Sequence, residues 1–166
     1  MIQILTRLHH TIEAKYNVKF YFKNDSKMGF SIQRTEDFSK IRKIRIEIFS
    51  TEMGISKDDI FDNDDQKLEQ FLIKNNEKIV GTFRLREEGS SYKLERMGIL
   101  SQYRSNGLGH LALEEIKTYS KKDNKTKIIL DSIYDTRDFY ASSGFIQIGG
   151  VYSKVGIPHV KMCIDL

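Results

Sequence analysis

Gly98-Ile-Leu-Ser-Gln-Tyr-Arg-Ser-Asn-Gly-Leu-Gly-His-Leu-Ala-Leu113 is the stretch on which the fold turns. Its first residues finish the strand-like run YKLERMGIL (92–100), its middle is a polar loop with two glycines, and from Leu108 the pattern Leu108, Leu111, Ala112, Ile116 is helical. A loop joining a strand to an amphipathic helix aims consecutive backbone N–H groups at one point, and the helix start adds the positive end of its dipole. The result is a cradle for an anion such as a phosphate. Gly107 and Gly109 carry no side chain to block close approach, and Arg104 adds a fixed positive charge. Gly-x-Gly at a helix start also fits a plain turn, so the meaning of the loop rests on its surroundings.

Upstream, KLEQFLI, IVGTFRLR and YKLERMGIL are strand-like runs separated by the polar turns NNEK and EEGSS, which predicts an antiparallel meander. Before it, GFSIQRT (29–35) reads as a strand, and Phe38, Ile41, Ile44, Ile48 and Phe49 form the stripe of a helix that ends near Gly54. ISKDDIFDNDDQ is polar and reads as a short helix or loop. Residues 2–16 place Ile2, Leu5, Leu8, Ile12 and Tyr16 on one helical face, followed by the strand-like NVKFYF, so residues 1–28 are expected as an amino-terminal addition to a domain over 29–166. Downstream of the helix at 108–119 come KIILDS as a buried strand, TRDFYASSG as a short helix with Gly144 just past its end, and FIQIGGVY and HVKMCIDL as two strands.

Composition narrows the choice of function. The chain has 166 residues, 39% of them hydrophobic and 30% charged, which suits one globular unit with a sizeable core. No apolar run approaches the roughly 20 residues a membrane helix needs. The single cysteine, Cys163, excludes an intrachain disulfide, and four scattered histidines without paired cysteines make a metal site unexpected, so cytoplasm is the expected compartment. A net charge of +4 without an arginine-rich arm suits an anionic ligand better than nucleic acid.

Tyr103-Arg104-Ser105-Asn106-Gly107-Leu108-Gly109 resembles the Arg/Gln-x-x-Gly-x-Gly/Ala loop of the GNAT N-acetyltransferases, and Phe139-Tyr140-Ala141-Ser142-Ser143-Gly144-Phe145 resembles their Phe-Tyr-x-x-x-Gly-Phe signature. The two motifs stand in the family's order, and the likeness covers about residues 30–166. It implies a mixed α/β (α+β) fold: a central, mainly antiparallel sheet, flanked by helices and splayed at the fourth core strand to admit the pantetheine of acetyl-CoA. It also implies backbone contacts to that arm from Gly98, Ile99 and Leu100, pyrophosphate binding by Arg104, Ser105, Asn106, Gly107, Leu108 and Gly109, and a Tyr140 hydroxyl that protonates the departing thiolate. Tyr140 as a packed core aromatic is the other reading. Seven and four places before it, where the family often has Asn and a small residue, stand Ile133 and Thr136.

Acetyl transfer to a primary amine needs a base, because an amine titrating near 10.4 is protonated at neutral pH. Glu95 is the candidate, acting directly or through water, with an ion pair to Arg84, Arg86 or Arg96 as the alternative role; His159 in VGIPHVKM is a second candidate. The expected acceptor is a small-molecule or peptide amine attacked directly, with the oxyanion held by N–H groups near Ile99 and Leu100, and Cys163 left as an inert buried thiol. The front half adds a second resemblance. Arg45, Phe49, Asp62, Asp65, Arg84 and Glu95 follow the order of acyl-homoserine lactone synthases, although the tryptophan of those enzymes is absent. That likeness allows a longer acyl donor, and Arg45 with the two aspartates could equally be a surface ion-pair set. A non-catalytic CoA-binding sensor and a homodimer stay open.

Overall fold

Polar turns cut the chain into short alternating runs, and in the computed structural model, which describes residues 29–166, those runs build one seven-stranded sheet. The helix and strand expected within residues 1–28 lie outside the described residues. β1 (Phe30–Thr35), β2 (Glu69–Asn75), β3 (Lys78–Glu88) and β4 (Ser91–Ile99) pair antiparallel in sequence order, which is the meander read from NNEK and EEGSS. β4 then lies parallel to β5 (Lys127–Ile133), a pairing that needs a crossover, and α3 (Leu108–Lys122) supplies it. β7 (Ile157–Asp165) inserts between β5 and the edge strand β6 (Ile146–Lys154), giving the order β1-β2-β3-β4-β5-β7-β6.

Both faces of the sheet are covered. Ala112, Leu113 and Ile116 of α3 pack with Phe71, Phe83, Leu130 and Val160, while Ile41 and Ile44 of α1 (Phe38–Arg45) pack with Leu72 on the opposite face. Period-two alternation lets β2 serve both layers, and each fully buried side chain of this size contributes roughly 1.5–3 kcal/mol. Asp37 starts α1 by accepting the Ser39 N–H at 3.2 Å. The expected single helix to Gly54 is not uniform: from Ile46 to Glu52 it widens into a π-helix. The wider turn sets neighbouring Ile48 and Phe49 against β4 at Gly98, where a Cβ would lie 2.8 Å from Ile48 Cγ2 and 3.0 Å from Phe49 Cζ. Gly98 is therefore required by packing.

β4 and β5 part company halfway. They pair only from Ser91↔Lys127 to Leu94↔Leu130, whereas β5 continues along β7 as far as Ile133↔His159. The cause lies on the other edge of β4. Its register with β3 passes from Arg84↔Glu95 to Thr82↔Gly98, so Arg96 and Met97 together oppose Phe83, and Arg96 takes a φ of +53°. A bulge of this kind bends and twists its strand, and here it swings Glu95–Ile99 away from β5.

Candidate active site

A cleft of about 860 Å³ opens where β4 leaves β5, bounded by the loop before α3, by α4 (Arg137–Ala141) and by the β6–β7 hairpin. At one end, α3 begins without a side-chain cap: its N-cap is Gly107, at a φ of +77° that a side chain would strain. Ser105 also has a positive φ, +63°, and this alternating backbone turns the amides outward as a nest. Among the described residues no acceptor takes the N–H groups of 105–110. With the dipole of α3 behind them, these amides suit a diphosphate.

The remaining predicted loop residues divide. Gly98, Ile99, Arg104, Ser105, Leu108 and Gly109 line the cleft, whereas Leu100 is buried in the core beneath α1. The Leu100 N–H donates to Val80 O at 2.9 Å, which corrects its expected part in holding an oxyanion. Backbone groups of an antiparallel strand alternate between its two edges, so the N–H of Ile99 points to the open side instead. The Ile99 carbonyl also faces that side and accepts Arg104 Nε at 2.7 Å. Gly109 has a reason other than ligand access: a Cβ there would stand 2.9 Å from Phe139 Cζ, so this glycine seats α3 on α4. Glu52 was not foreseen. Its carboxylate takes the Ser101 N–H at 2.9 Å and the Arg104 guanidinium, holding the loop's cation beside the end of β4.

Tyr140 stands on α4 with its ring edge-on to Phe139 and Phe145, the contacts of a packed aromatic. Its ring is half-buried and lines the cleft, its hydroxyl has no hydrogen-bond partner among the described residues, and burial pushes its pKa up to about 12. Thr136 turns its hydroxyl inward to the Ile133 carbonyl at 3.0 Å and closes the end of β5.

Behind the opposite wall, Arg45, Asp62, Asp65, Arg84 and Glu95 of the second resemblance meet in a network that is buried at its centre, correcting the surface ion-pair alternative, while Phe49 packs against Gly98 instead. Arg45 and Arg84 both reach Asp65 Oδ1, at 2.5 and 2.6 Å, and Arg84 also grips Asp62 through two hydrogen bonds of 2.9 and 2.6 Å. The Arg84 bonds hold the Asp62 carboxyl well below the usual carboxylate range. Burial alone would raise Asp65, but the Arg45 hydrogen bond and charge bring it below its ordinary value. Glu95 lines the cleft, yet its Oε2 accepts Arg84 Nε at 2.8 Å and lies 3.4 Å from Arg86 Nε, the pairing named as its alternative role. Protonating it would strip counter-charge from a buried guanidinium, which counts against Glu95 as the base.

His159 is better arranged to take a proton. It is buried in β7 beside the cleft, with Nδ1 2.8 Å from the Ile157 carbonyl. A carbonyl can only accept, so Nδ1 carries a hydrogen, and in the neutral ring the lone pair falls on Nε2. Asp131 on β5 was not foreseen either. It is held by Lys93 and Lys154, each at 3.2 Å, and by the Tyr152 hydroxyl; burial works to raise its carboxyl, but these partners bring it down to about 2. Cys163 is buried in β7 and does not line the cleft. Among the described residues no cluster of three or more His, Cys, Asp or Glu could hold a metal ion, and no helix is long and apolar enough to cross a membrane.

A strand bent out of its sheet, with an uncapped helix start at its end, is the architecture of an acyltransferase. The chain belongs to the GNAT acetyltransferases: the family model described as "Acetyltransferase (GNAT) domain" matches residues 52–166. It is 33% identical over 133 residues to the Bacillus subtilis protein YyaT, an alignment covering 78% of this chain and 90% of that one. Its fold superimposes with a TM-score of 0.76 on a putative N-acetyltransferase from Lactobacillus plantarum, 22% identical, covering 83% of this chain and 99% of the other. A GNAT family acetyltransferase from Elizabethkingia anophelis, solved with acetyl-CoA bound, superimposes with a TM-score of 0.66 at 14% identity, covering 83% and 99%.

Proposed function

We propose that the protein is an N-acetyltransferase that moves the acetyl group of acetyl-CoA directly to a primary amine. The observation that carries this reading is the arc of amides at 105–110, without an acceptor among the described residues and set at the open end of the splayed strand. Acetyl-CoA supplies the activated acyl group. The amides of 105–110 hold its diphosphate, and Gly98 and Ile99 run along its pantetheine. The Ile99 N–H donates to the carbonyl oxygen as negative charge grows there.

An acceptor arriving as an ammonium must lose one proton before it can attack, and His159 Nε2 receives it. As the C–N bond forms and the C–S bond breaks, the nitrogen sheds a second proton and the sulfur gains one. Tyr140 donates its hydroxyl hydrogen bond to that sulfur, and a phenol raised to about 12 is present as a donor throughout the neutral range. Glu95 acts as a positioning residue, fixing the Arg84 network and hence the cleft wall.

The test is release of free CoA thiol from acetyl-CoA and from longer acyl-CoAs against a panel of primary amines, with CoA binding followed by calorimetry. Amine-dependent release with acetyl-CoA is expected. A preference for long acyl donors would favour the synthase-like reading, and CoA binding with silence across the panel would favour a sensor.

A further inference from the structure

The cations of the cleft are not equally satisfied. Arg84, Arg86, Lys93, Arg104 and Lys154 each have an acidic partner at 3.2 Å or closer. Arg96 does not: its one acidic contact among the described residues is a 3.5 Å approach of Nη2 to Asp62 Oδ2, an oxygen that Arg84 already holds at 2.6 Å. Its Nε is buried with no acceptor among the described residues. The same residue carries the positive φ of the β4 bulge, at the point where the strand turns from β5. A left-handed conformation at a long side chain is strained, and strain of this kind gathers at ligand-gripping positions. Asp58 and Asp59 of α2 (Lys57–Ile60) also line the cleft, with no basic partner among the described residues. One cleft therefore presents a weakly held guanidinium and carboxylates with no basic partner among the described residues.

From this juxtaposition we infer that the acceptor is a zwitterionic amino-carboxylate, of the free amino-acid class, and that Arg96 binds its carboxylate. The inference rests on the N-acetyltransferase reading and gives its acceptor a chemical class. A guanidinium forms two parallel hydrogen bonds with a carboxylate, and turning Arg96 from Asp62 towards the cleft exchanges one long contact for such a pair. Asp58 and Asp59 attract the ammonium end as it enters. They also disfavour a dianion such as a phosphate ester.

The experiment compares L-alanine, L-leucine and L-phenylalanine, each against its own primary amide, in two readouts: thiol release with acetyl-CoA, and binding to the protein–CoA complex by calorimetry. The amide's amine is the less basic of each pair, so more of it is free to react, and that bias opposes the expected result. The acid of each pair is expected to give at least tenfold higher kcat/KM and tighter binding. Arg96→Gln is expected to collapse the acid-to-amide ratio through KM, and Arg96→Lys, which keeps the charge and loses the fork, to retain part of it. CoA affinity of each variant checks that the cleft is intact. Amides equal to or better than acids in wild-type protein, or a ratio untouched in Arg96→Gln, would overturn the inference even if acetyl transfer is observed. Preferential binding of the acids without any thiol release would leave the carboxylate site standing and remove the catalytic reading instead. Should Arg96→Gln fail to fold, the wild-type pairs decide alone.

Discussion

Two side chains carry the proposed proton movements and a third, Glu95, positions the cleft wall, and each responds differently to removal. Tyr140→Phe keeps the ring that packs on Phe139 and Phe145 and deletes only the donor. It is expected to lower kcat roughly 10²-fold while CoA affinity by calorimetry stays within twofold. With its pKa raised by burial to about 12, Tyr140 loses its proton only far above neutrality, so the wild-type profile should show no alkaline fall from this group up to pH 10. His159→Gln preserves a donor for the Ile157 carbonyl and loses the proton acceptor. Its kcat/KM should fall at pH 7 and recover as the assay pH approaches the range where the amine is free without help. Glu95→Gln should instead lower stability and leave the shape of the pH profile unchanged; a profile shifted by Glu95→Gln but not by His159→Gln would return the role of base to Glu95. Tyr140 and the loop residues were legible because their motifs are local. Glu52 was not, since its partners Ser101 and Arg104 lie 49 and 52 residues further on and a lone glutamate near a helix end carries no signal of them.

At the level of elements, the meander, the crossover helix and the closing hairpin follow from alternation and turns, and each strand among the described residues begins or ends within two residues of its expected place. The bulge in β4 and the π-helical end of α1 did not show in the sequence. Both are responses to neighbours: the bulge sets Arg96 and Met97 of β4 opposite the single residue Phe83 of β3, and the stripe of α1 stays helical under either winding. The glycines record this contact indirectly. Gly109→Val would force Phe139 from the start of α3, and with it the adjacent Tyr140, so overpacking is expected to cost about 1–3 kcal/mol in urea unfolding and to lower kcat as well as CoA affinity. Weakened CoA binding at full stability would show that Gly109 serves the ligand rather than the packing. The network between the α2–β2 connection and β3 permits a sharper measurement. Asp65→Asn leaves two buried guanidiniums sharing one fewer charge and should destabilise the fold by about 3–5 kcal/mol; a loss under 1 kcal/mol would mean that the two arginines are answered elsewhere.

Across the whole molecule, the splay divides the sheet into a four-stranded half and a three-stranded half, and Asp131 ties them together. It follows Leu130, the last β5 residue paired with β4, and it takes Lys93 from β4 and Lys154 from β6 at 3.2 Å each. A carboxyl brought from its ordinary 3.8 to about 2 in the folded state stabilises that state by roughly 2 kcal/mol at pH above 4. Between the two values the unfolded chain binds the proton more readily, so the contribution is lost as pH falls from about 4 through about 2. Asp62 and Asp65 are lowered as well, and they steepen the acid limb in the same direction. Asp131→Asn isolates the share of the splay. In urea unfolding the wild type should exceed the variant by about 2 kcal/mol at pH 6, and the gap should narrow steadily below pH 4 as the wild-type carboxyl takes up its proton. The variant loses the tie without losing the bulge, so its two halves should also exchange backbone amides faster along Ser91–Leu94 and Lys127–Leu130, where they are hydrogen-bonded to each other. A stability gap that held its size from pH 6 to pH 3, with exchange unchanged at those residues, would show that packing alone joins the halves and that the Asp131 charge does not.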